Sequence, residues 1–101
     1  MSVPVVWLDD ALADLDRNLD YIERESPRGA LSVALAIRKG ADVLLSEYPK
    51  AGRPGRRRGT RELVISGTPF ILIYRVRTRP ARVEILRVLH GKQKWPNRDA
   101  R

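Results

Sequence analysis

The chain has no cysteine and one histidine among its 101 residues. Without thiols, neither a disulfide framework nor thiolate metal ligation is open to it, and a lone histidine is a poor basis for a zinc site. No metal and no other cofactor is expected. Long apolar runs are missing too: no segment approaches the roughly 20 consecutive apolar residues that cross a bilayer. Asp9 and Asp10 stand close behind the first short apolar run, where a secretory leader would need a basic start and a longer hydrophobic stretch. A membrane role is therefore excluded on this reading, and a cytoplasmic location is expected. No glycine-rich stretch follows a strand and opens a helix, so the glycines between 52 and 59 read as turn residues and not as a nucleotide cradle.

Acids are scarce in one half of the chain only. Residues 1–48 hold nine acids and five bases, whereas residues 49–101 hold three acids and fifteen bases. The overall charge of +8 thus hides an acidic first half and a strongly basic second half. Such a field draws in nucleic acid or an acidic protein segment without choosing between them. At 43% hydrophobic and 32% charged residues, the composition fits a folded domain. This length supports one core, so residues 1–101 are read as a single domain.

What is present orders itself into six elements. Residues 3–8, Val-Pro-Val-Val-Trp-Leu, are β-prone, with Pro4 favouring an edge or the start of a strand. Trp7 reads as core. Asp9 or Asp10 offers an N-cap, and Leu12, Leu15, Leu19 and Ile22 then recur at three- and four-residue intervals, the mark of an amphipathic helix. Its carboxylates fall at spacings that read as a hydrated face. Ser26-Pro27 starts a second helix, and Ala30, Ala34, Ile37, Ala41 and Leu44 carry its stripe, widened by Val33 and Leu45, up to Tyr48-Pro49. With almost no loop between them, the two helices are expected to be antiparallel neighbours.

Residues 49–60 concentrate turn formers and the arginines Arg53, Arg56, Arg57 and Arg58, and read as a mobile basic loop. Three strands follow: Arg61 to Ile65, Phe70 to Arg77, and Arg82 to Leu89, separated by Ser66-Gly67-Thr68 and Thr78-Arg79-Pro80-Ala81. The expected fold class is α+β in the order β-α-α-β-β-β, an antiparallel sheet packed on an antiparallel helix pair. Residues 96–101 read as a frayed tail.

Three stretches within this architecture resemble the RelE/ParE toxin superfamily: Gly59-Thr60-Arg61-Glu62-Leu63-Val64-Ile65, Phe70-Ile71-Leu72-Ile73-Tyr74-Arg75-Val76 and Ile85-Leu86-Arg87-Val88-Leu89-His90. The ending His90-Gly91-Lys92-Gln93-Lys94-Trp95-Pro96 resembles a ParE-like branch described as plasmid-stabilisation proteins. The resemblance implies the toxin of a type II toxin-antitoxin pair, a growth inhibitor silenced by a cognate antitoxin in a hetero-oligomer. RelE-like members cut messenger RNA on the ribosome, whereas ParE-like members poison DNA gyrase. A disordered acidic antitoxin would suit the basic half, either as a helix in the groove beside the two helices or as a strand added to a sheet edge.

The two branches make different demands on the residues. Cleaving RNA through its 2′-hydroxyl needs a base or orienting group, cations for the phosphorane charge and an acid for the leaving oxygen. Arg61, Arg87 and His90 are the candidates, with His90 the natural proton carrier. Against this, the RelE strand typically reads Tyr-Arg-Leu-Val-Tyr, and the aligned stretch here is Phe70-Ile71-Leu72-Ile73-Tyr74, so Ile71 stands where the arginine would be. The gyrase reading is preferred for that reason. A ribosome-dependent ribonuclease and a non-toxic nucleic-acid-binding module remain as alternatives. Target or antitoxin contacts are assigned to Arg53, Arg56, Arg57, Arg58, Arg61, Lys92, Lys94 and Trp95. A solvated loop is the plain alternative for the four arginines, a hydrogen-bonded structural residue for His90, and a plug folded back on the domain for Trp95.

Overall fold

A computed structural model describes residues 2–93. The elements run β1 (Val5–Trp7), α1 (Asp9–Glu25), α2 (Pro27–Arg38), a π-helical segment (Lys39–Leu44), α3 (Leu45–Glu47), β2 (Arg53–Pro54), β3 (Arg61–Val64), β4 (Phe70–Thr78) and β5 (Ala81–His90). Lys94, Trp95 and the tail 96–101 lie outside the described residues.

The five strands form one sheet in the order β1-β5-β4-β3-β2. β3, β4 and β5 are the expected antiparallel meander, with Leu63 opposite Leu72 and Leu72 opposite Val88. β1 joins β5 in parallel, Val5 opposite Val83, so the complete sheet is mixed. The helices explain this direction, since they carry the chain away from the end of β1 and the meander then brings β5 back beside it. Gly67, at φ +79°, makes the β3–β4 turn that the Ile65 N–H to Phe70 carbonyl bond closes at 3.0 Å.

Ser26 serves both helices: its N–H donates to the Ile22 carbonyl at the end of α1, while its Oγ accepts from Gly29 N–H at 2.9 Å at the start of α2. One face of the sheet and the helices enclose the core, in which Ala11, Ile37, Ala41 and Leu45 meet Leu72, Tyr74, Val83, Ile85 and Val88. The helical stripe departs from the sequence reading in two places. On α1 the buried positions are Ala11 and Asp14, whereas Leu12 is exposed. After Ile37 the wider π turn inserts a residue, so Leu45 rather than Leu44 reaches the core. The same turn brings Asp42 to Trp7, whose indole N–H donates to it at 3.0 Å. Trp7 is accordingly half-buried at the core's margin, with its polar atom satisfied.

Candidate functional site

Strand alternation divides the side chains of β4 between two faces. Phe70, Leu72 and Tyr74 face the helices, while Ile71, Ile73, Arg75 and Arg77 face the other way. On this outer side a cleft of about 740 Å³ opens between the 57–60 loop, the sheet and the start of α1. Arg57, Arg58, Arg75, Arg77 and Arg87 surround it, with Leu8 and Leu86 as apolar contributors and Asp9 and Asp10 at the helix end. The fold therefore gathers five arginines that are scattered along the second half of the chain into one cationic recess.

Two buried carboxylates tie arginines down, Glu84 holding Arg75 and Arg77 within that recess and Glu62 holding Arg53 and Arg56 beside it. Glu84 accepts from Arg75 Nε at 2.5 Å and from Arg82 Nε at 2.8 Å, with Arg77 Nε at 3.4 Å. The Arg75 bond holds its pKa below the ordinary value against the opposing effect of burial. Glu62, whose side chain is 1% exposed, accepts from the Arg56 N–H at 3.0 Å, from Arg56 Nε at 3.1 Å and from Arg53 Nη2 at 3.3 Å. Burial works to raise its pKa, and the arginine donors outweigh it and lower the value.

The 49–60 segment is thus less free than a mobile loop. Arg53 and Pro54 pair with Glu62 and Arg61, and Gly55 N–H donates to the Thr60 carbonyl at 2.7 Å. Tyr74, fully buried, accepts from Gly52 N–H at 2.8 Å and anchors the loop's base. Burial raises its pKa, so the phenol stays neutral in the physiological range. A periodicity search misses this anchoring because the carboxylate and the hydroxyl responsible lie in the strands, 6 to 22 residues away along the chain.

A third carboxylate closes the sheet's edge. β1 ends at Trp7, leaving the Val88 N–H on β5 without a strand partner, and Asp14 Oδ2 accepts it at 3.0 Å. Arg87 Nε and Nη2 donate to the same carboxylate at 2.6 and 3.0 Å, and Arg17 Nη2 at 2.7 Å. Burial would raise the Asp14 pKa, yet these four donors bring it below the ordinary value. The Asp14 bond in turn raises that of Arg87. Asp14, grouped by sequence reasoning with a hydrated carboxylate face, is 2% exposed.

Arg61, Arg87 and His90 are not brought together. Arg61 pairs with Tyr74 in the sheet and directs Nη1 to the carbonyls of Gly52 at 2.8 Å and Lys50 at 3.4 Å, outside the lining of the cleft. Arg87 lines the cleft while chelating Asp14. His90 sits edge-on to Phe70, centroids 5.8 Å apart, and its Nδ1 accepts from Lys92 N–H at 3.2 Å. It lines a separate hollow beside Tyr21 and Val33. The odd spacing of 87 and 90 along one strand already sends their side chains to opposite faces. Of the loop arginines, Arg57 and Arg58 reach the cleft, whereas Arg53 and Arg56 bind Glu62. Lys92 is exposed near the end of the described chain.

A second surface is apolar. Leu31 and Leu35 on α2 are each 62% exposed, and Leu44, Leu63, Val64 and Ile65 border a hollow of about 410 Å³ beside the π segment. β2 covers only Arg61 and Glu62 of β3, so among the described residues the edge at Leu63 and Val64 has no strand partner.

Comparison with known proteins matches this fold and sequence to one family. The sequence model described as the ParE toxin of the type II toxin-antitoxin system parDE matches residues 5–95. Toxin RelE2 of Caulobacter vibrioides is 41% identical over 87 residues, 86% of this chain and 93% of that protein. Y4kP of Sinorhizobium fredii, provisionally named a toxin, is 44% identical over 90 residues, 89% of this chain and 90% of its own length. Among solved structures, a chain of the chromosomal ParDE toxin-antitoxin system of P. aeruginosa superposes with a TM-score of 0.75 at 30% identity, covering 88% of this chain and 96% of that one. The chain belongs to the ParE toxin family of type II toxin-antitoxin systems, within the RelE/ParE superfamily.

Proposed function

We propose that this toxin inhibits growth by acting on DNA gyrase through its arginine-lined cleft and does not itself cleave RNA. The observation that speaks against the ribonuclease is the dispersal of Arg61, Arg87 and His90: Arg61 and His90 face the helix side of the sheet and Arg87 the other, and each is engaged within the fold. The gyrase reading itself rests on the kinship with ParE toxins. A ribonuclease built from them would need a base, a cation and an acid around one phosphate. Ile71 agrees with this reading, because it occupies the outer face between Val64 and Leu89, where an isoleucine offers an anion nothing. The partner that silences the toxin is a cognate antitoxin with an acidic segment. Its apolar side chains would cover Leu31 and Leu35, and its carboxylates would meet Arg28, Arg38 and Lys39 on the same helical stretch.

The test uses the purified chain in two assays, gyrase supercoiling with cleavage-complex detection and translation in a cell-free bacterial extract. Inhibited supercoiling with intact messenger is expected. Messenger cut only in the presence of ribosomes, with gyrase unaffected, would refute the proposal.

A further inference from the structure

The cleft brings like charges together. Arg57 and Arg58 stand at the loop tip opposite Arg75, Arg77 and Arg87, and among the described residues neither tip arginine has an acidic partner. Glu84 already pairs Arg75 and Arg77, Asp14 pairs Arg87, and Asp9 and Asp10 line the same cleft without bonding the tip arginines. The position of the tip is therefore set by the loop's own bonds to the sheet. β2 contributes only two paired residues. The stronger tie is Glu62. Its carboxylate is buried on the outer face, opposite Ile73, and among the described residues its donors, from Arg53 and Arg56, come from the loop. One of these is the Arg56 main-chain N–H, which reaches the carboxylate only when the chain immediately before Arg57 takes this path. A carboxylate so thoroughly withdrawn from water is costly to leave without donors, so the loop and the glutamate hold each other in place.

We propose that Glu62 is a positioning residue, a buried latch that holds the 53–60 loop on the sheet so that Arg57 and Arg58 are preorganised over the cleft for an anionic group of the toxin's target. Glu62 does not touch the target; it acts through the two tip arginines. The inference rests on the reading of the cleft as the target-contact surface, and it does not depend on which macromolecule the target is. Preorganisation matters here because a flexible basic loop loses conformational freedom each time it binds, whereas a latched one has lost it on folding.

The full chain, produced at matched levels from a titratable promoter in bacteria lacking any antitoxin, gives a dose for half-maximal growth inhibition. Glu62→Gln keeps the shape and removes the charge, and should raise that dose about tenfold; in an Arg57→Ala/Arg58→Ala background the same change should add less than about twofold, since residues acting as one unit are non-additive. Amide exchange of residues 55–60 should quicken in Glu62→Gln while β4 and β5 keep their protection. Arg56→Ala breaks the side-chain part of the latch from the loop side and should behave alike, which decides the matter if Glu62→Gln is degraded. An equal loss in both backgrounds, as a purely structural glutamate would give, overturns the proposal. So does a Glu62→Gln toxin of unchanged potency alongside a weakened Arg57→Ala/Arg58→Ala toxin, an outcome that leaves the cleft reading standing. If the double arginine variant is itself fully potent, the cleft reading fails and the latch has no function to serve.

Discussion

Asp14 shows how much one side chain can do at a sheet edge. It replaces the strand partner that β5 loses where β1 stops, and it neutralises Arg87 at the same point. Removing one member of a buried pair leaves the other uncompensated; because Arg87 is 30% exposed, we expect Asp14→Asn to cost about 2–3 kcal/mol, below the full range for a buried pair. The Asp14 pKa is lowered on folding, so its contribution is fully present above its ordinary value of 3.8 and fades as pH falls through and below that value. Urea unfolding should therefore separate parent and variant at pH 7 and bring them closer at pH 3. An equal gap at both pH values would contradict this. The sequence concealed Asp14 among the other acids of α1, because helical spacing says which residues share a face but not that a sheet amide awaits one of them.

At the scale of elements, boundaries and types follow the residue pattern closely. Ser26-Pro27 divides the helices as it should, and the three strands of the meander fall within a residue or two of their expected limits. The π segment was not legible, since Leu44 and Leu45 are chemically alike and an inserted helical residue alters no periodicity that a short stretch can reveal. The basic loop was misread as mobile for a related reason: its restraints are tertiary. Gly52 lies where they converge, and a Cβ there would meet the Tyr74 hydroxyl at 2.7 Å and the Glu62 carbonyl at 2.8 Å. Gly52→Ala should thus cost about 1–3 kcal/mol by overpacking and disturb the loop, seen as a lowered unfolding midpoint with faster amide exchange at residues 52–60. A parent-like midpoint and unchanged exchange would show that the loop's base has more room than the geometry allows.

At the scale of the molecule, two surfaces among the described residues differ sharply in chemistry. A cationic cleft lies on the outer side of the sheet, and an apolar strip with basic flanks runs along α2 and the π segment towards the edge of β3. With the cleft serving the target and the strip the antitoxin, as proposed above, silencing and toxicity can be altered independently. Leu31→Glu with Leu35→Glu, both exposed positions, should leave folding and growth inhibition intact while weakening antitoxin binding by at least about 100-fold, as for anchor residues at an interface. Titration calorimetry against the antitoxin, with growth assays in parallel, measures both. A loss of toxicity with retained antitoxin binding would reverse the assignment of the two faces.

From composition and patterning came the α+β class, the order of the main elements and the charge imbalance between the two halves, because these depend on local periodicity, turn chemistry and residue order; the superfamily came from the resemblance of three particular stretches. The folded chain decided which arginines share a cleft, which are tied to Glu62, Glu84 or Asp14, and that Arg61, Arg87 and His90 stand apart. Those outcomes depend on strand register and on which carboxylates become buried, and both are properties of packing between segments far apart in the chain.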